Sequence, residues 1–286
     1  MKCYYLVTSS ALEKNVIFQS REDFIIGMND IALCVLKYDV RILCFCLMSN
    51  HFHFVLYGSY KECYGFIQEY KQLCAMRMRH SRGEVNALKS VEIRFDLLDS
   101  EEYLKNAIAY VLRNPLAAHI IMMPYFYEWS SMSAYFRAGI PLKGVPVNGL
   151  SIRKRREILK SRHAVVPDTF LVNEDGIIPP ACYVAYDIVE RLFPHPSFLM
   201  MALARKVENE MEIRMGAAER IVMSDAELKT QIGELIRSEF GVSAMSHLSA
   251  DDRLRLCLLV RRNFNASVKQ IARLLRLSQD VVASVL

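Results

Sequence analysis

Short runs rich in aromatic and β-branched residues recur along the first half of the chain, at Tyr4–Thr8, Tyr38–Leu47, His51–Tyr57 and Val91–Leu98. Their apolar–polar alternation predicts four strands. Between them the apolar spacing changes to a helical period. Arg21–Leu36 reads as a helix with Ser20 as its N-cap and Glu22 and Asp23 in its acidic first turn. Lys61–Arg79 reads as a second helix, and Ser100-Glu101-Glu102 opens a third that runs to about Arg113. Ser49-Asn50 suits a tight turn between the second and third strands.

The order β-α-β-β-α-β followed by a helix is the ferredoxin-like pattern. It predicts an α+β fold for residues 1–140, an antiparallel sheet with helices on one face and the other face free to build a site. Gly139-Ile140-Pro141-Leu142-Lys143-Gly144-Val145-Pro146 is rich in Gly and Pro and marks a boundary. Residues 141–250 read as a linker and a mostly helical extension, with Phe170–Pro180 and Pro194-His195-Pro196 as connectors. Residues 251–286 form a separate pattern of three short helices, Asp251–Phe264, Ser267–Leu275 and Ser278–Leu286. The tight turn at Arg276-Leu277 makes the last two a helix-turn-helix candidate.

Composition narrows the class. Of 286 residues, 52% are hydrophobic, enough for a substantial core, yet no apolar run reaches the ~18 residues of a membrane span. The N-terminal run is too short for a secretory leader. A cytoplasmic, nucleoid-associated protein without membrane contact is expected. The eight cysteines lie mostly in apolar runs and read as reduced core residues. The net charge of +5 says little by itself. Two basic clusters say more: Arg77, Arg79, His80 and Arg82, and Arg153-Lys154-Arg155-Arg156. Each is a solvated face or an anion-binding surface.

The chemistry concentrates in Leu47-Met48-Ser49-Asn50-His51-Phe52-His53. Strand alternation puts His51 and His53 on one face and Phe52 on the other. The bland alternative is a pair of hydrogen-bonded structural histidines. The sharper one is a pair of metal ligands. Further along, Tyr110 and Asn114 stand four apart on one helix face, and Pro115 limits the helix beyond them. A helix packed on the sheet would bring both to the histidines. A zinc site built from Cys44, Cys46, His51 and His53 is a third, weaker reading.

Three blocks together resemble the REP-associated tyrosine transposases, a group of single-tyrosine HUH transposases. They are Leu47-Met48-Ser49-Asn50-His51-Phe52-His53; Tyr110 with Asn114-Pro115; and Glu128-Trp129-Ser130-Ser131 with Tyr135. The resemblance covers residues 1–140. Ser49 stands where the group has proline, and the segment between Tyr70 and Val91 lacks the group's Gly-Arg-rich stretch, for which Arg77, Arg79 and Arg82 would substitute.

The resemblance implies a divalent ion, Mg2+ or Mn2+, held by His51, His53 and Asn114, with Tyr110 as the nucleophile. A phenol titrates near ~10, so the ion or a nearby base must promote its deprotonation. The implied activity is a DNA transposase or nickase that cleaves and rejoins single-stranded or hairpin DNA through a 5′-phosphotyrosine. The alternative is a catalytically silent, domesticated core acting as a sequence-specific DNA-binding regulator. DNA contacts are expected from Arg77, Arg79, Arg82 and Arg113. In the C-terminal module they are expected from Lys269, Gln270, Arg273, Arg276, Ser278 and Gln279, with Asp280 also at the groove and duplex DNA as the partner. Ile271, Ala272 and Leu275 would pack the inner face, and Leu277, Val281 and Val282 would anchor the last helix. A homodimer is compatible with all of this.

Overall fold

The computed structural model describes residues 1–10, 16–118, 120, 123–160, 165–204, 223, 225–264 and 266–285. The chain is α+β. β1 (Cys3–Ser9), β2 (Val40–Leu47), β3 (Phe52–Gly58) and β4 (Ile93–Leu98) form one antiparallel sheet in the order β2-β3-β1-β4. α1 (Arg21–Cys34) lies between β1 and β2, α2 (Tyr60–Arg82) between β3 and β4, and α3 (Glu101–Ala117) after β4. Ser20 caps α1 as its sequence implies, in a reciprocal capping box with Asp23.

The register sorts side chains onto the two faces. Phe52 and Phe54 of β3 point to α2, where Phe52 meets Tyr70 at 5.2 Å and Phe54 meets Phe66 at 5.6 Å between ring centroids. His53 and Val55 point the other way, with Thr8 and Leu6 of β1 and Cys46 and Cys44 of β2 directly opposite them. α3 packs on that second face. Helices on one face therefore describes α1 and α2 alone. Leu6, Cys44, Cys46 and Val55 are fully buried, and a surface that apolar is stable only when covered.

α3 begins where Ser100 accepts a hydrogen bond from the Tyr103 amide. It runs to Ala117, past the end near Arg113 that Pro115 suggests. Pro115 has no amide to offer one carbonyl of the preceding turn, but that single loss does not stop the helix. The Ala118 amide closes the last turn on the Asn114 carbonyl at 3.0 Å. Asn114 thus lies in the last turn of the helix, near its C-terminal end as its place before Pro115 implies.

The outer edge of β2 is covered by two later segments. Ser130 bridges to Cys46 and Val184 bridges to Ile42. The Gly/Pro-rich stretch at 139–146 leads into a segment that returns to the same core. That segment holds β5 (Val145–Pro146), α4 (Ile152–Leu159), β6 (Leu171–Val172), α5 (Tyr186–Leu192) and α6 (Pro196–Ala204). Val147, Phe170, Val189, Leu199 and Leu203 are buried in one cluster with the sheet. Buried Asn29 of α1 ties it down, donating to the Gly176 carbonyl and accepting from the Ile178 amide, each at 2.8 Å.

A second apolar cluster joins α7 (Asp225–Phe240), α8 (Ala250–Phe264), α9 (Val268–Leu275) and α10 (Gln279–Val285). Residues 205–222 of the expected helical extension and terminal Leu286 lie outside the described residues. Among the described residues, no helix is long and apolar enough to cross a membrane.

Candidate metal and nucleophile centre

The connection from β2 to β3 sets the histidines. It is closed by the Met48 amide on the His51 carbonyl at 2.9 Å. Its outer side is covered, because the amides of Ile17 and Phe18 both donate to the Ser49 carbonyl. Ser49 and Asn50 are consequently buried, unlike most turn residues. Ser9 then fixes the backbone between the two rings, its hydroxyl accepting from the Phe52 amide at 2.9 Å.

The imidazoles of His51 and His53 stand edge to face, with centroids 4.7 Å apart and planes at 88°. Both are fully buried. Asn50 Oδ1 lies 2.8 Å from His51 Nδ1. An amide oxygen only accepts, so His51 carries its proton on Nδ1 and presents a lone pair on Nε2. Thr8 Oγ1 holds His53 Nδ1 at 3.2 Å. Burial lowers the His51 pKa to about 4, against the upward pull of the Asn114 side chain. Burial, then the neighbouring His51, lowers the His53 pKa as well. Both rings are neutral at neutral pH, the form that binds metals.

α3 supplies the rest. The side chain of Asn114 comes close enough to both imidazoles to pull their pKa values upward. One turn earlier, the half-buried Tyr110 ring lies 5.4 Å from the His53 ring, with planes at 82°. The four residues singled out in the sequence therefore converge on one point. Two neutral imidazoles with an amide oxygen fit a divalent ion that accepts mixed nitrogen and oxygen ligands, Mn2+ better than Mg2+.

The zinc alternative gains nothing. Cys46 faces His53 across the strands, and both Cys44 and Cys46 are fully buried in the apolar core. No group of three or more His, Cys, Asp or Glu side chains able to hold a metal occurs among the described residues.

The Trp129 block is structural. Trp129 stacks on Phe24 at 4.8 Å and lies under the Arg21 guanidinium. Its carbonyl accepts from the Leu47 amide at 2.9 Å. Tyr127 and Tyr135 donate their hydroxyls to the Leu47 and Leu43 carbonyls at 2.7 and 2.6 Å. Ser131 Oγ accepts from the Phe45 amide at 3.0 Å. The segment from Tyr127 to Tyr135 is thus a strap along the edge of β2, the strand that leads into the histidines.

The expected DNA contacts divide. Arg77 turns inward to an ion pair with buried Asp30 at 2.6 Å, whose carboxyl burial pushes up to about 6 despite the nearby guanidinium. Arg82 donates to the Val16 and Ile17 carbonyls at 2.9 and 2.8 Å. Of that cluster, Arg79 is exposed, and Arg113 is half-buried on α3.

In the C-terminal helices, Gln270 is buried and bonds the Met223 carbonyl, while Arg273 pairs with Asp225 at 2.6 Å. Ser278 caps α10 by accepting from the Val281 amide. Lys269, Arg276, Gln279 and Asp280 are exposed. Ile271, Ala272, Leu275 and Val282 pack inward, but Val281 is exposed and anchors nothing. Arg276 adopts the left-handed conformation at φ 55° that glycine commonly supplies in such turns.

The sequence reading missed Thr8, Ser9 and Asn50, which position the rings. Asn50 adjoins His51 in the motif and was open to notice. Thr8 and Ser9 reach the site only through the β1–β3 register. Comparison with protein-family models, curated proteins and solved structures finds no match.

Proposed function

We propose that this chain is a metal-dependent DNA strand transferase that cleaves and rejoins single-stranded or hairpin DNA, built on a ferredoxin-like HUH core. The reading is carried by one observation. A single helix delivers Asn114 to both imidazoles and Tyr110 to the edge of His53. The element order and the strand order β2-β3-β1-β4 support the ferredoxin-like assignment.

His51, His53 and Asn114 would hold the ion. Bound there, a divalent cation supplies Lewis-acid polarisation of the scissile phosphate. Tyr110 gives up its phenolic proton and its oxygen attacks phosphorus. The bond from phosphorus to the 3′-oxygen breaks, and that oxygen leaves as a 3′-hydroxyl once protonated. A 5′-phosphotyrosine remains, and attack by another 3′-hydroxyl reverses the step and frees Tyr110. Asn50 and Thr8 keep the two rings oriented throughout. The exposed Lys269, Arg276 and Gln279 around the α9–α10 turn support a helix-turn-helix that contacts duplex DNA.

A second reading, a silent DNA-binding regulator, is favoured by the complete burial of both imidazoles beneath α3. Incubation with end-labelled hairpin DNA and Mn2+ separates the two. Strand transfer leaves a covalent adduct that survives denaturation and disappears in Tyr110→Phe. Absence of any adduct from wild-type protein, with specific duplex binding retained, selects the regulator.

A further inference from the structure

The sheet register runs a row of side chains from the core out to solvent. On the face under α3, Cys46 of β2 stands opposite His53 of β3, His53 opposite Thr8 of β1, and Thr8 opposite Arg94 of β4. Directly opposed residues project to the same side of a sheet, so these side chains form one line across it. Cys46 and His53 are fully buried and Thr8 nearly so, whereas Arg94 is exposed. Thr8 already touches the centre, since its hydroxyl holds His53 Nδ1. Arg94 is the next residue in the line and the first that solvent reaches. Two strand spacings of ~4.8 Å put its backbone roughly 10 Å from that of His53.

Tyr110 lies on the same side of the sheet, half-buried, with its ring against the edge of His53. α3 starts from the opposite end of β4, just after Leu98, and comes level with the row only at Tyr110. His51, His53 and Asn114 are buried, so the flank of the centre that meets solvent is the Arg94 side. Arg94 is also held in a fixed orientation. Its Nε donates to Asp96 Oδ1 at 2.9 Å, and Asp96 is the less exposed of the two. A planar guanidinium matches the oxygens of a phosphate in a way that an ammonium does not. A cation on an edge strand also discourages stray strand pairing, but that use is indifferent to where along the strand the cation stands. The alignment with Thr8 and His53 is what it leaves unexplained.

We infer that Arg94 binds the DNA phosphate next to the one that Tyr110 attacks, with Asp96 holding its guanidinium in place. The inference rests on the strand-transfer reading for the identity of the attacked phosphate. To that reading it adds a path for the strand, outward across β1 and β4.

Anisotropy of a labelled single-stranded oligonucleotide, titrated over a salt series with the full chain carrying Tyr110→Phe, measures the contact without cleavage. In that background Arg94→Gln weakens binding about tenfold and lowers the salt slope by about 0.7. Arg94→Lys keeps the slope and recovers part of the affinity. Arg41→Gln is the matched control. Arg41 is on the same face, similarly exposed and paired with Asp187 at 2.7 Å, but at the far end of β2, and its loss changes neither quantity. A neutral methylphosphonate placed at one linkage at a time then maps the contact. At the linkage adjoining the one that joins Tyr110 in the wild-type adduct, it weakens binding when Arg94 is present and has no effect on Arg94→Gln. Unchanged affinity and slope in a folded Arg94→Gln protein overturns the inference. So does an equal loss in Arg41→Gln, or a methylphosphonate effect that is the same with and without Arg94 at every linkage. No adduct from wild type with Mn2+, while one linkage is still singled out, sinks the strand-transfer reading and leaves the Arg94 contact standing.

Discussion

His53 meets Tyr110 edge to face, with ring centroids 5.4 Å apart, although 56 positions of chain separate them. The relationship depends on α3 lying across the sheet face that carries Thr8, His53 and Cys46. Tyr110 and Asn114, the proposed nucleophile and the proposed metal ligand, therefore move together with one helix, and changes along that helix test the site.

Asn114→Ala removes the amide oxygen that faces both rings. Mn2+ titration followed by thermal unfolding should stabilise wild type by ~3 kcal/mol at a hundredfold excess over the dissociation constant. The same titration should leave Asn114→Ala and His51→Ala nearly unmoved. Equal stabilisation of all three proteins would place the ion elsewhere.

The buried imidazoles make the metal-free protein acid-sensitive. His51 has a folded-state pKa of about 4 against an ordinary 6.5, so the unfolded chain binds its proton first as the pH falls. Its contribution is complete above the ordinary value and is lost as pH falls through the folded one. The loss amounts to at most ~3 kcal/mol. Urea unfolding in the presence of chelator should show this decline between those two values, and His51→Gln should flatten it. An unchanged slope in the variant would assign the acid sensitivity to other groups.

Arg77 pairs with buried Asp30, so its loss should be felt first in the fold. Arg77→Met strands the buried Asp30 carboxylate and should cost roughly 3–5 kcal/mol, while Asp30→Leu with Arg77→Met should recover most of it. Chemical denaturation of the three variants measures both. Weaker DNA binding by a double variant of wild-type stability would return Arg77 to the interface.

The exposed and the buried polar residues of the C-terminal helices should behave differently. Lys269→Ala should weaken duplex binding across sequences and lower the salt slope by about one. Gln270→Ala should lower the melting temperature instead, because it leaves the Met223 carbonyl without its side-chain donor. Binding isotherms at several salt concentrations, set beside melting curves, distinguish the two effects.

Much of the sheet was legible because its strands are short runs rich in aromatic and β-branched residues, and because α1 and α3 carry side-chain caps at Ser20 and Ser100. The four candidate site residues were legible because Tyr110 and Asn114 share one helix, and because His51 stands immediately before β3 and only two residues from His53, so short spacing keeps each pair together. What escaped depends on partners far away in the chain. A run of arginines does not reveal that Asp30, 47 positions earlier (77 − 30), takes one of them inward. Pro115 reads as a stop, yet near the end of a helix it costs one hydrogen bond and the turn closes on Asn114 instead. Ser49-Asn50 reads as a tight turn, but its burial depends on the amides of Ile17 and Phe18, which bond over it. The covering of β2 by Tyr127, Ser131 and Tyr135 uses hydroxyls whose acceptors are backbone carbonyls, and a carbonyl leaves no mark in the sequence.

That strap has one more consequence. Tyr127–Tyr135 and Val184 take up the outer edge of β2, so the strand that leads into His51 and His53 is flanked on both sides. A strand held on both sides cannot slip by a residue without breaking two sets of bonds at once, and such a slip would carry the side chains that face the histidines to the opposite side of the sheet.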